Sequence, residues 1–144
     1  MAHVYDLVKE QDTYRAEVSQ SVLELVQAMV DRNIGAVPVL REGELVGIFS
    51  ERDLMRRVVA GGLNPAATRV AEVMTADPLT VDPNEDLETC MVLMRRHGFR
   101  HLPICEGKLL KGLVSLRDIM LHDLNEKEHD IRMMRAYIQA TPEM

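Results

Sequence analysis

The chain reads as an α+β fold made of two pseudo-symmetric halves followed by a C-terminal helix, and three observations carry that reading. Gly47-Ile48-Phe49-Ser50-Glu51-Arg52-Asp53 recurs as Gly112-Leu113-Val114-Ser115-Leu116-Arg117-Asp118, and Val37-Pro38-Val39 recurs at the same offset as Leu102-Pro103-Ile104. The ungapped alignment set by that offset also matches Met29 with Met94, Leu45 with Leu110 and Met55 with Met120, which makes an internal duplication the simplest account. Within each half the apolar period switches between helical spacing and short strand runs.

The elements follow in order. Residues 14–18 form a weak leading strand. Residues 21–32 carry Val22, Leu25, Val26, Met29 and Val30 at helical spacing, and Ser21 with Glu24 fits a capping box. Residues 36–40 are a short strand whose Pro38 argues for an edge or strand-start position. A polar turn around Gly43 then leads to a second strand, 45–49, completing a hairpin. A short closing helix, 53–60, breaks at Gly61-Gly62-Leu63-Asn64-Pro65, and 68–74 connects the halves. The second half repeats the plan: a leading strand over 78–83, and a helix from Asn84 or Asp86 to the stop at Gly98. Strands 101–105 and 109–114 and a closing helix 118–124 follow. Residues 125–138 form a separate charged, Met-rich helix ending before Pro142. The expected division is 1–65, 66–124 and a tail of 125–144.

With 144 residues, 47% of them hydrophobic, the chain is long enough for a substantial core. A net charge of −6 and aromatics at only 3% disfavour a nucleic-acid surface, which needs basic patches and stacking rings. No apolar run approaches the roughly 20 residues that cross a bilayer, and the N-terminus lacks the regions of a signal peptide. Cys90 and Cys105 make no disulfide framework, so a cytoplasmic protein with reduced thiols is expected.

The chemistry concentrates in the two Ser-x-x-Asp turns. A carboxylate accepts two hydrogen bonds at once, which suits the vicinal hydroxyls of a ribose, and a helix N-terminus with its unpaired N–H groups suits phosphate. Arg52 or Arg117 adds a charge-assisted contact to that phosphate, or pairs with a neighbouring carboxylate. Capping alone would account for either turn, but it does not require Ser, Arg and Asp to match together twice. His97, His101 and Cys105 are spaced by four, yet Gly98 and Pro103 interrupt any helix that would align them on a metal. No P-loop, nucleophile set or acid–base pair is present, so an enzyme is not expected. The methionines and Cys90 fit core positions, while Met133, Met134 and Tyr137 are candidates for a dimer seal.

These motifs, with Val73-Met74-Thr75, Leu79-Thr80-Val81 and Phe99 to Ile104, resemble a tandem pair of cystathionine β-synthase (CBS) domains, a Bateman module. The resemblance covers residues 5–124 and implies two β-α-β-β-α units packed through their small sheets. It implies ribose contacts at Asp53 and Asp118, with Ser50 and Ser115 beside ribose or phosphate. It further implies adenine pockets lined by Ala36, Val37 and Pro38 and by Arg100, His101, Leu102 and Pro103, with more contacts from Thr75, Asp77 and Thr80. Relatives commonly carry Gly where this chain has Arg117. The first half offers only Thr13-Tyr14-Arg15 where the second has Asp77-Pro78-Leu79-Thr80, a departure that bears on its affinity. The implied function is a non-catalytic sensor of AMP, ADP, ATP, NAD or a related adenosyl ligand, forming a homodimer and signalling through a protein partner. Two other readings stand beside it: an interaction module with vestigial clefts, and a nucleic-acid-binding member of the family.

Overall fold

The computed structural model describes residues 2–140, so Met1 and residues 141–144 of the expected tail lie outside the described residues. A short helix α1 (Val4–Val8) precedes strand β1 (Ala16–Glu17), helix α2 (Val22–Arg32) and the hairpin β2 (Ala36–Arg41) and β3 (Glu44–Ser50). Helix α3 (Glu51–Asp53) continues into a π-helical stretch, Leu54–Val59. Then come α4 (Val70–Val73), β4 (Thr75–Ala76), α5 (Leu87–His97), the hairpin β5 (His101–Glu106) and β6 (Leu109–Ser115), and α6 (Leu116–Ala140).

Local chemistry explains the boundaries. Ser21 caps α2 by accepting from the Glu24 N–H at 3.1 Å, whereas the Glu24 carboxylate takes the Gln20 amide rather than closing the expected box. Asp86 caps α5 at 2.7 Å, and Gly98 ends it with φ +73°, in the left-handed region where glycine has no Cβ to clash. The first hairpin turns on Glu42 and Gly43, both at positive φ, the signature of a tight turn matched to strand twist.

The first sheet has the order β1-β2-β3-β4, with β1 parallel to β2 and the other pairs antiparallel. The second sheet is the β5-β6 hairpin. Three expectations need correction. The leading strand over 78–83 is reduced to a single bridge between Val81 and Ile104, because Pro78 and Pro83 remove donors at its ends. Pro38 lies in an inner strand, not at an edge; β1 pairs only from Val39 onward, so the missing N–H falls where the short partner has not yet begun. The closing helix and the tail helix of the second half are one continuous helix of 25 residues, with no Gly or Pro to break it.

Two cores result. The first gathers Val22, Leu25, Met29, Val37, Val39, Phe49 and Val58 with Val70, Val73 and Met74. The second gathers Cys90, Met94, Leu102, Ile104, Val114 and Ile119 with Val4 and Val8 of α1. Leu40, Cys105 and Leu110, backed by Leu45, join the sheets, where the Leu45 N–H also donates to the Lys108 carbonyl at 3.0 Å. The halves therefore pack through their sheets. Each core also takes in a segment lying beyond its own hairpin, α1 in one case and 70–76 in the other.

Candidate ligand clefts

Both Ser-x-x-Asp turns close in the same way. In the second copy the Ser115 N–H donates to Asp118 Oδ2 at 2.9 Å, and the Asp118 N–H donates to Ser115 Oγ at 3.0 Å. The reciprocal pair starts α6 and fixes the carboxylate against the strand end. Asp118 Oδ1 has no hydrogen-bond partner among the described residues. Asp118 borders a cleft of about 1280 Å³ between the two halves, above the roughly 300–1,000 Å³ usual for ligand pockets.

The walls of that cleft come from both halves. Ser115, Arg117, Asp118, Arg100 and His101 contribute from the second, and Ile34, Gly35 and Ala36 from the run into β2. Thr13 and Tyr14 close one side, with Arg32 set 4.5 Å over the Tyr14 ring. Lys127 reaches in from α6. Four cationic side chains thus face a space whose carboxylates are Asp12, Asp118 and Asp123. Burial holds the His101 imidazole below its usual pKa against the opposing pull of Asp118 and Glu51.

The first copy is wired differently. The Ser50 N–H and hydroxyl donate to Asp53 Oδ2 at 2.9 and 3.2 Å. The Thr75 hydroxyl donates to Asp53 Oδ1 at 3.1 Å, and Arg57 Nε lies 3.7 Å from the same oxygen. Arg57 Nη1 also donates to the Met74 carbonyl at 2.6 Å. Asp53 is only 6% exposed.

The site residues expected from the sequence therefore separate. Ala36, Arg100, His101, Ser115, Arg117 and Asp118 share the large cleft. Val37 and Leu102 alternate away from their strand neighbours into the two cores. Pro38 and Pro103 are buried, while Arg52, Asp77 and Thr80 are exposed. Thr75 hydrogen-bonds Asp53, and Thr13 and Tyr14 line the cleft that Asp118 borders, so each turn is met by a segment from the opposite half. Reading each half separately hid that crossing. Arg32, Lys127 and Arg57 had no sequence signal beyond their charge. Among the described residues no group of three or more His, Cys, Asp or Glu is placed to hold a metal. Cys90 is buried, and its thiol is pushed up to about 11 by that burial.

A duplicated α+β unit with a cleft beside an aspartate at a helix start defines a tandem-repeat module. The chain belongs to the CBS domain family: the family model matches residues 6–60 and again 70–125. It is 34% identical over 109 residues to the CBS domain-containing protein YhcV of Bacillus subtilis, covering 76% of this chain and 77% of that one. It is 32% identical over 124 residues to the mitochondrial CBSX3 of Arabidopsis thaliana, covering 83% of this chain but spanning only 60% of the relative. Among solved structures, the CBS-domain protein ATU1752 of Agrobacterium tumefaciens aligns at a TM-score of 0.77 and 29% identity over 85% of this chain and 99% of that one. CBSX2 in complex with AMP (TM-score 0.79, 23% identity) shares the fold over 88% of this chain and 99% of its own. So does the CBS pair of MJ0100 in complex with 5′-methylthioadenosine and S-adenosylmethionine (0.77, 21%), over 88% and 98%.

Proposed function

We propose that the chain is a non-catalytic regulatory module that binds an adenosyl ligand in the Asp118 cleft and transmits its occupancy to a protein partner. The observation that carries this reading is Asp118 itself. One carboxylate oxygen is anchored by Ser115 and the other is unbonded among the described residues, and the residue borders a cleft lined by Arg32, Arg100, Arg117 and Lys127. In this reading the carboxylate accepts the ribose hydroxyls, and the cations with the first turn of α6 receive phosphate. AMP in CBSX2 and the two adenosyl ligands in MJ0100 support the ligand class. AMP, ADP, ATP and NAD all satisfy these groups.

We further propose a homodimer. Met120, Leu124, Ile131, Met134 and Ile138 are exposed on α6 and recur at the four–three spacing of a coiled-coil seam, interrupted by Lys127. The free buried thiols agree with a reducing compartment, which we take to be the cytoplasm. Among the described residues no helix is long and apolar enough to cross a membrane. The second reading, an interaction module with vestigial clefts, is favoured by one feature: both oxygens of Asp53 are already engaged within the chain.

A thermal-shift panel of AMP, ADP, ATP, NAD and S-adenosylmethionine, confirmed by calorimetry, decides between the two. A ligand at 100 times its dissociation constant adds about 2.7 kcal/mol to the folded state. A shift with an adenosyl compound sustains the sensor reading; no shift with any leaves the interaction module.

A further inference from the structure

The two Ser-x-x-Asp turns match in sequence and differ in what surrounds the carboxylate. At Asp118, which lines the cleft, one oxygen is unbonded among the described residues. At Asp53 each oxygen is filled from within the chain. Oδ2 is taken by the Ser50 N–H and hydroxyl, Oδ1 by the Thr75 hydroxyl at 3.1 Å and the Arg57 guanidinium at 3.7 Å. The same guanidinium is pinned on its far side by the Met74 carbonyl at 2.6 Å. Arg57 has no equivalent in the second copy, where the duplication places His122, paired along the helix with Glu126. The backbone differs as well. The first copy runs as a π-helix over Leu54–Val59, a geometry that is rare and concentrates at special sites, while the second continues as α-helix.

We infer that Arg57 and Thr75 are a built-in occupant of the first site. A hydroxyl and a cation of the chain take the acceptor positions on Asp53 that ligand hydroxyls take elsewhere, so each chain binds one adenosyl ligand, at Asp118. The inference rests on the nucleotide reading above. A ribose entering at Asp53 would have to strip a cation from a carboxylate that is 6% exposed and return two neutral hydroxyls for it. The Thr75 hydrogen bond and the ion pair to a half-exposed Arg57, itself tied to the Met74 carbonyl, are both already in place on a buried carboxylate, so the exchange runs against the ligand. Duplicated sequence at the turn itself therefore does not translate into duplicated binding.

The test is calorimetric titration of the full chain with AMP and with ATP. Wild type binds one ligand per chain. Asp118→Asn abolishes the heat, and Asp53→Asn leaves affinity within about twofold and stoichiometry unchanged. A folded variant carrying both Arg57→Ala and Thr75→Ala moves toward two ligands per chain. Two ligands on the wild type, a stoichiometry halved by Asp53→Asn, or a folded double variant that still takes one would each overturn the inference while leaving the nucleotide reading in place. Absence of any adenosyl binding defeats the nucleotide reading instead, and melting then judges the internal network alone. Asp53→Asn lowering Tm by at least about 3 °C more than Asp118→Asn supports it, and equal Tm values overturn it.

Discussion

A methyl group on Gly47 would overlap the Met74 sulfur and stand 3.0 Å from the Thr75 carbonyl, and one on Gly112 would lie 2.9 Å from Val8 Cγ2. The two duplicated glycines are notches, each admitting a segment from outside its own hairpin. Gly47→Ala is expected to cost about 1–3 kcal/mol by overpacking. Gly43→Ala, which meets nothing in space but sits at φ +82°, costs about 1 kcal/mol through its backbone alone; urea denaturation of both measures the difference. At the cleft, Asp118→Ala should lower adenosyl affinity at least tenfold, about 1.4 kcal/mol, while circular dichroism shows the fold intact. Serine, glycine and aspartate of the turns were legible in the sequence because their reciprocal bonds span three residues. The partners that distinguish the turns were not, since Thr75 lies far along the chain from Asp53 and Lys127 reaches the Asp118 cleft from the tail.

Helix α6 shows the same division at the level of elements. Its apolar residues announced a helix, but the junction near Leu124 and Asn125 read as a break although no Gly or Pro stands there. Continuity is reinforced by pairs one turn apart, Asp123 with Lys127 at 3.2 Å and Glu128 with Arg132 at 3.8 Å. The strand expected at 78–83 failed for the opposite reason: its period was right, but two prolines left it too few donors for a ladder. The exposed seam of α6 yields a prediction at this scale. Ile131→Glu places a charge in the middle of the seam, and analytical ultracentrifugation should show the dimer shifted to monomer with the helical content of the protomer retained. A dimer that persists would place the interface elsewhere.

Across the whole molecule the two cores are interleaved. Val4 and Val8 are fully buried against the second hairpin, and Val70 and Val73 against the first. Fully burying each such side chain is worth about 1.5–3 kcal/mol, so a half deprived of its borrowed segment loses a large part of a domain's net stability. Chains cut between residues 65 and 66 are therefore expected to fold poorly alone and to recover native circular dichroism on mixing. The intact chain should unfold in one transition by both circular dichroism and tyrosine fluorescence. The duplicated pattern announced two halves; the exchange between them was invisible, because it depends on which face of each sheet the connecting segments cover.

Asp118 stands in the first turn of α6, and at about 1.5 Å per residue the 25-residue helix extends close to 37 Å, its last half exposed. Such a rod is a lever with its fulcrum beside the cleft. A tilt of about 10° at that end sweeps the far tip through roughly 6 Å, more than one helical turn's rise. A rearrangement too small to repack either core would thus be magnified at the tip, and any signal sent under the sensor reading proposed above is a question of angle more than of shape.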